Sequence, residues 1–138
     1  MVDNEFKNNT TYILKQVDLK FIVIKLRNDS ILQFDFKPCE DFSVDDLKET
    51  NLAADKLGNN KLYPRLIIMD HFINFGREVR AYSASEESNI TTIAAAFVVN
   101  LVALRFVGNL YISFNKPARP TKLFNSEEMA IEWLKTFL

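Results

Sequence analysis

The sequence predicts an α/β domain with a mixed, mainly parallel sheet, an N-terminal antiparallel hairpin and about four helices. Short β-branched runs alternate with stretches of helical periodicity, which is the pattern of βαβ units. Residues 65–69 and 93–99 are predicted to be strands covered on both faces, as in a parallel sheet. Residues 21–26 and 31–36 are joined by a link of hairpin length. Together these features favour one domain over residues 1–138.

The opening third of the chain is expected to supply the hairpin and one further strand. Residues 1–9 are polar and are expected to be frayed. Residues 11–17 and 21–26 are rich in side chains that favour extended structure. Residues 31–36 alternate apolar and polar side chains, which predicts a strand with one solvated face. Pro38 ends this strand because it cannot donate a ladder hydrogen bond.

A first helix is predicted directly after this strand. The Ser43 hydroxyl can cap its N-terminus, and Asp46 is placed as the reciprocal partner of a capping box. Val44, Leu47 and later apolar residues follow helical spacing, and Gly58 marks a natural end.

The second half of the chain predicts three further helices and a short edge strand. Residues 77–88 are predicted to be helical, whereas 100–115 fit either a helix or, in part, a strand, with length favouring the helix. Residues 121–124 predict the edge strand. Asn125 and Glu128 are expected to form the capping box of the last helix.

The charge balance argues against nucleic acid as a partner. Seventeen basic and eighteen acidic residues give a net charge of −1. The chain as a whole therefore lacks a broad electrostatic footprint for nucleic acid or for an acidic membrane.

Cysteine usage and hydropathy favour the cytoplasm. Cys39 is the single cysteine, so no internal disulfide is expected, which suits a reducing compartment. The polar start has no secretory signal pattern. The longest apolar stretch, residues 93–99, is too short to span a membrane.

Four stretches of the chain are distinctive: KLYPRLIIMD, REVRAYSASEE, NLYISFNKPARPTKLF and EEMAIEWLK. Their most specific parts are the pattern FNKPxxPTKLF, the pentapeptide SASEE and the C-terminal EExAxEWL helix. Over about residues 20–138 the chain resembles, through these stretches, a bacterial family of small proteins of unassigned activity that is grouped with the STAS domains, the fold of anti-sigma-factor antagonists.

The resemblance implies a recognition surface rather than a phosphorylation switch. In STAS antagonists a Ser or Thr at the start of the helix after the central strand accepts a phosphoryl group. Residues 70–77 of this chain contain no Ser, Thr or Tyr, and the first hydroxyl afterwards belongs to Tyr82, inside the predicted helix. The residues left as candidates for partner binding are Asp70, His71, Asn74, Gly76 and Arg77.

A second candidate site lies in the basic turn near the C-terminus. Its residues are Arg105, Lys116, Arg119 and Lys122. Such a cluster is a candidate for binding an anion or an acidic ligand, although a solvated loop is the simpler interpretation.

The sequence offers little support for catalysis. His71 is the only histidine, and the simpler interpretation is a loop histidine with one hydrogen bond. Acids next to Cys39 are expected to raise its pKa, which disfavours a reactive thiolate. No spacing of His, Cys and carboxylates predicts a metal site, and the three glycines lie too far apart for a phosphate cradle. No cofactor is therefore expected.

Many aromatic residues crowd the second half of the chain. They are Phe72, Phe75, Phe97, Phe106, Tyr111 and Phe114. Core packing is the default interpretation, and an apolar ligand pocket or a homodimer face is the alternative.

Two functions are compatible with these observations. The first is a non-enzymatic, STAS-like interaction module that binds an unknown protein partner through residues 70–77. The alternative is a small-ligand protein that holds an apolar or anionic molecule near residues 100–115 and the turn at 116–122.

Overall fold

Within residues 10–138, six strands form one mixed sheet, and each strand lies beside its neighbours in the sequence. The structure, a computed structural model, describes residues 10–138, so the predicted frayed segment lies outside the described residues. The strands are β1 (Ile13–Asp18), β2 (Ile22–Arg27), β3 (Leu32–Phe36), β4 (Tyr63–Met69), β5 (Thr92–Val99) and β6 (Thr121–Phe124). β1, β2 and β3 pair antiparallel, whereas β3 to β6 pair in parallel. The predicted antiparallel extension of a parallel sheet is confirmed.

Four α-helices occur within residues 10–138, as predicted. They are α1 (Val44–Leu57), α2 (Arg77–Ala84), α3 (Val102–Leu110) and α4 (Glu127–Lys135). α3 continues into a π-helical segment, Tyr111–Asn115, so the ambiguous stretch is helical rather than part strand. Each of these described helices is too short or too polar to cross a membrane.

Two of the predicted helix ends are wrong by a few residues. Ser126, not Asn125, caps α4, because the Ser126 hydroxyl accepts a hydrogen bond from the backbone N–H of Met129. Glu128 therefore stands one position too early to complete a capping box. α2 ends at Ala84 rather than near residue 88, and a short 3₁₀ turn, Glu87–Asn89, follows it. The capping box of Ser43 and Asp46 at α1 is confirmed.

The direction of strand succession determines which face each helix covers. β3 to β6 advance in one direction across the sheet, and right-handed crossovers then place α1, α2 and α3 on the same face. We call this the three-helix face. α4 follows β6 and packs against β4 and β5 on the other side, which we call the α4 face.

Two apolar cores result, one on each face of the sheet. On the α4 face, the small side chains of Ala94 and Ala96 lie beneath the fully buried Ala130 and Leu134 of α4. The part of this face formed by β2 and β3 is polar, and there Lys25 pairs with Asp35 at 2.7 Å. The predicted solvated face of residues 31–36 is therefore confirmed.

Replacing Leu134 with Ala is expected to lower the free energy of unfolding by about 2–5 kcal/mol, because the side chain is fully buried in a core that a single helix covers. Leu52→Ala is the matched control, since Leu52 lies on α1 and is 66% exposed. Its effect is expected to stay within about 0.5 kcal/mol. Urea unfolding followed by circular dichroism measures both values, and equal losses would contradict the two-core arrangement.

Candidate functional site

A cavity of about 140 Å³ lies between the three-helix face of the sheet and the helices above it. An engineered apolar cavity of about 150 Å³ is large enough to bind benzene, so this space is of ligand size. Strands β2 to β6 supply its floor, and α1, α2, α3 and the π-helical segment supply its walls. Its lining includes Arg65, Thr92, Met69, Phe75, Ala95, Val99 and Tyr111.

Arg65 is the charged group at one end of this cavity. In the sheet register it lies beside Leu32 of β3 and Ala95 of β5, so its side chain points to the three-helix face. Only 8% of the residue is exposed. One terminal nitrogen donates to the Asn51 side-chain oxygen at 2.9 Å and the other to the Thr91 hydroxyl at 3.1 Å.

The guanidinium is charged although no acid pairs with it directly. Burial lowers the pKa of Arg65 to about 10, and the Asp55 carboxylate partly opposes that shift. A pKa of about 10 keeps the group cationic at neutral pH. Among residues 10–138 no carboxylate forms an ion pair with it, and Asp55 reaches it only through the Thr91 hydroxyl, at 2.7 Å from Asp55.

Two buried polar atoms beside the cavity have no hydrogen-bond partner among the described residues. They are the Nε–H of Arg65 and the hydroxyl of Thr92, and both residues line the cavity. An unsatisfied buried polar group typically costs about 1–3 kcal/mol, and more when it is charged. Both groups can donate a hydrogen bond, so together they favour an acceptor, and above all an anion.

The opposite end of the cavity is mostly apolar, although the Arg80 side chain there donates to the Phe75 carbonyl. Phe36, Phe42 and Phe75 pack edge to face there, with ring centroids 5.1, 5.7 and 6.1 Å apart. Met69 and Val99 continue this surface at the carboxyl ends of β4 and β5. From Arg65 to Met69 the strand rises by about 13 Å, so the cavity changes from polar to apolar over the length of a short acyl chain.

A hydrogen bond between Ser83 and Tyr111 fixes one wall of the cavity. Their hydroxyl oxygens lie 2.9 Å apart and connect α2 to the π-helical segment. Burial raises the pKa of Tyr111, although the Ser83 hydrogen bond opposes the shift. The phenol therefore stays neutral and adds no negative charge to the site.

The aromatic residues singled out in the sequence divide into two groups. Phe75, Phe97 and Tyr111 line the cavity. Phe72, Phe106 and Phe114 are exposed to solvent. The excess of aromatic residues therefore serves both a pocket and an outer surface.

The loop proposed for partner binding lies at the carboxyl end of β4. Asp70, His71, Asn74, Gly76 and Arg77 are all exposed. Asn74 ties the loop to the segment before α1, because its backbone N–H donates to the Glu40 carbonyl and its side chain donates to Asp41, both at 2.9 Å. Gly76 caps α2 without a side-chain hydrogen bond, and Arg77 is the first residue of that helix.

The four basic residues near the C-terminus do not form one patch. Arg105 donates to the Val99 carbonyl and Arg119 to the Thr92 carbonyl, at opposite ends of β5 and about 23 Å apart along the strand. Arg119 also pairs with Glu86 at 2.9 Å. Lys122 lies beside Ala96 on the α4 face, and Lys116 is exposed at the end of the π-helical segment.

Neither Cys39 nor His71 lies in the cavity. Burial raises the pKa of the Cys39 thiol, and the charges of Asp46 and Asp41 raise it further, so the thiolate is disfavoured. Within residues 10–138 no group of three His, Cys, Asp or Glu side chains is placed to hold a metal ion.

Sequence reasoning missed Arg65 and Thr92, which form the polar end of the cavity. The apolar run at residues 65–69 predicts a strand that is apolar on both sides. The run at residues 93–99 predicts a strand that begins one residue after Thr92, where the structure begins it. A charged residue inside a strand that is buried on both faces was the available signal.

Comparison with known proteins adds a family but no activity. No curated protein and no solved structure matches the chain. One family model matches residues 24–138, which include the whole lining of the cavity except Ile22. The chain therefore belongs to the family described as a domain of unknown function, DUF7793.

Proposed function

We propose that the protein binds a small amphipathic anion of the medium-chain monocarboxylate class in this cavity, and that it acts as a carrier or sensor rather than as an enzyme. The observation that carries the proposal is the pair of unsatisfied donors, Arg65 Nε–H and the Thr92 hydroxyl, at one end of an otherwise largely apolar cavity. A carboxylate oxygen can accept from both, and an acyl chain can occupy the end near Phe75.

The charges of the lining favour an anion. Two arginines, Arg65 and Arg80, line the cavity, and among the described residues no Asp, Glu, His, Cys or Lys does. Arg80 donates to the backbone carbonyl of Phe75, whereas Arg65 keeps a buried Nε–H without a partner among the described residues, which favours Arg65 as the group that receives a ligand. A lining without an acid–base pair or a nucleophilic thiol also favours binding over catalysis.

A second candidate function is the STAS-like interaction module, without a phosphorylatable hydroxyl. The observation that favours it is the loop at residues 70–77, which is tied to the segment before α1 through Asn74 and carries an exposed Phe72 (57%) and an exposed Arg77. A preformed loop loses little conformational entropy on binding, and aromatic residues and arginines are typical of interaction hot spots.

Octanoate is expected to bind with a stoichiometry of one and to raise the melting temperature, because its carboxylate compensates the buried cation. Arg65→Met is expected to weaken octanoate binding by about 10–100-fold, the loss of a charge-assisted hydrogen bond. Octanol, which has the same chain without the charge, is expected to bind weakly to both forms. Isothermal titration calorimetry measures the dissociation constant of each ligand for each form of the protein.

Two controls distinguish the cavity from the surface. Arg77→Met removes an exposed arginine and is expected to leave octanoate binding unchanged. Ala95→Leu, which fills the floor of the cavity beside Arg65, is expected to abolish binding of both octanoate and octanol. Octanoate binding that survives in Ala95→Leu and in Arg65→Met, with both variants folded by circular dichroism, would refute the proposal.

Thr92→Val is expected to stabilise the unliganded protein by about 1 kcal/mol, because it removes a buried hydroxyl that has no protein partner. Thr121→Val is the matched control in the same cavity. The Thr121 hydroxyl donates to the Arg119 carbonyl at 2.9 Å, so its loss is expected to destabilise the protein by about 1 kcal/mol. Urea unfolding of both variants gives the sign of each change in the free energy of unfolding. A destabilised Thr92→Val would contradict this description of the site.

For the second candidate, Phe72→Ser combined with Arg77→Ser is expected to reduce recovery of a cross-linked partner at least about tenfold, as for loss of hot-spot residues. Leu52→Ser, an exposed apolar change on α1, is the control and is expected to leave recovery unchanged. Recovery from native lysate is quantified for each variant. Equal recovery from all three proteins would count against the loop as the binding surface.

A further inference from the structure

The outer side of α3 and the π-helical segment carries an exposed apolar stripe. Val102 is 84% exposed, Phe106 65% and Phe114 78%. Leu110 lies between them on the same side, at helical spacing, and is partly exposed. We call Val102, Phe106, Leu110 and Phe114 the outer stripe. Four large apolar side chains along one helix form a contiguous patch of the kind that marks a docking surface.

The inner side of the same helix forms a wall of the cavity. Leu104, Val107 and Tyr111 line it. Gly108 brings the helix close to the sheet, because a Cβ atom there would stand 2.9 Å from a methyl carbon of Leu123. One helical layer therefore separates the cavity from whatever contacts the outer stripe.

The segment that carries the outer stripe contains no acid, although the chain as a whole carries −1. From residue 88 to residue 126 the sequence contains no Asp or Glu, and of its four basic residues Arg119 and Lys122 lie away from the stripe, one paired with Glu86 and the other on the α4 face. Lys116 is exposed directly after the π-helical segment, and Arg105 lies on α3 itself. The near-zero net charge of the chain hides this local excess.

We propose that the outer stripe docks on the surface of an anionic lipid bilayer, with Phe106 and Phe114 at the boundary between headgroups and acyl chains. Apolar residues on one side and cations at the flanks are the pattern of helices that lie in a membrane interface. The identity of the cargo rests on the proposed function, and the docking itself does not. The cavity wall then faces the phase in which amphipathic anions concentrate.

A second copy of the chain fits the outer stripe less well. A two-fold contact through α3 would place two copies of Arg105 and Lys116 near one interface, and residues 88–126 supply no carboxylate to offset them. An anionic headgroup layer offsets the same charges.

Vesicles of equal parts phosphatidylglycerol and phosphatidylcholine test the proposal by co-sedimentation with the full chain. The wild-type protein is expected to bind them, to bind pure phosphatidylcholine at least about fivefold more weakly, and to lose affinity as salt rises. Phe106→Ser combined with Phe114→Ser is expected to weaken binding at least about tenfold. Lys116→Gln is expected to weaken it about fivefold.

The control removes two exposed apolar side chains elsewhere on the surface. Leu52→Ser combined with Leu62→Ser, both exposed positions, is expected to leave vesicle binding unchanged. Equal binding by the two double variants would overturn the proposal. So would the absence of vesicle binding together with a dimer, seen by sedimentation velocity, that only the Phe106 and Phe114 changes dissociate.

The Ala95→Leu variant, in which the cavity is filled, tests vesicle binding independently of octanoate binding. Ala95→Leu is expected to bind vesicles as the wild type does, even though it no longer takes octanoate. Vesicle binding that depends on Phe106 and Phe114 supports docking whether or not octanoate binds in solution. Octanoate binding without vesicle binding overturns docking and leaves the cavity's function intact.

Discussion

A positive charge buried under three helices, with no carboxylate bonded to it, constrains everything else in this structure. Removing a guanidinium from water is costly unless hydrogen bonds and an opposite charge compensate it. Arg65 has two hydrogen-bond acceptors, Asn51 and Thr91, a cation–π contact with the Phe34 ring at 5.1 Å, and only a relayed contact with Asp55. Its Nε–H has no partner among the described residues, and Arg65 lines a cavity in which an anion would complete the compensation. A buried guanidinium that is incompletely compensated lowers the stability of the folded protein, and such local loss of stability is common at binding sites.

The topology explains why the cavity lies where it does. Sequential strand order with right-handed crossovers puts three helices on one face of the sheet and leaves α4 alone on the other. The α4 core combines Ala94 and Ala96 with larger side chains such as Leu66 and Ile68 beneath Ala130 and Leu134. On the three-helix face, helices of different length meet over β4 and β5, and the short α2 is held to the π-helical segment by Ser83 and Tyr111. Space remains between them, bordered by Arg65 at one end and Phe75 at the other.

Periodicity and turn chemistry were enough to predict the fold from the sequence. The alternation in residues 31–36, the Ser43 capping box and the doubly covered strand at 65–69 depend on local rules, and each agrees with the structure. Asn125 and Ser126 are equally good caps, so spacing alone could not choose between them. In the structure the last helix begins at Glu127, so Ser126 holds the N-cap position and Asn125 lies one residue before it.

The candidate site was harder to predict because it depends on non-local register. Arg105, Lys116, Arg119 and Lys122 are close in sequence, but the connection between the neighbouring strands β5 and β6 runs back along the length of β5 and separates them. Arg65 was missed for a different reason. The four residues after it are apolar, so the segment as a whole has the pattern of a strand buried on both faces. Following the alternation from Met69 and Ile67 back to Arg65 would have placed it on the same face as those two core residues.

The most direct test of the buried cation as the ligand's anchor is the Nε–H signal of Arg65 in a nitrogen–proton correlation spectrum during titration with octanoate. The expected result is a downfield shift that saturates at one equivalent, with slower exchange with solvent, while the corresponding signal of the exposed Arg77 stays in place. An Arg65 signal that does not move when the protein is saturated with octanoate would contradict the assignment of this cavity.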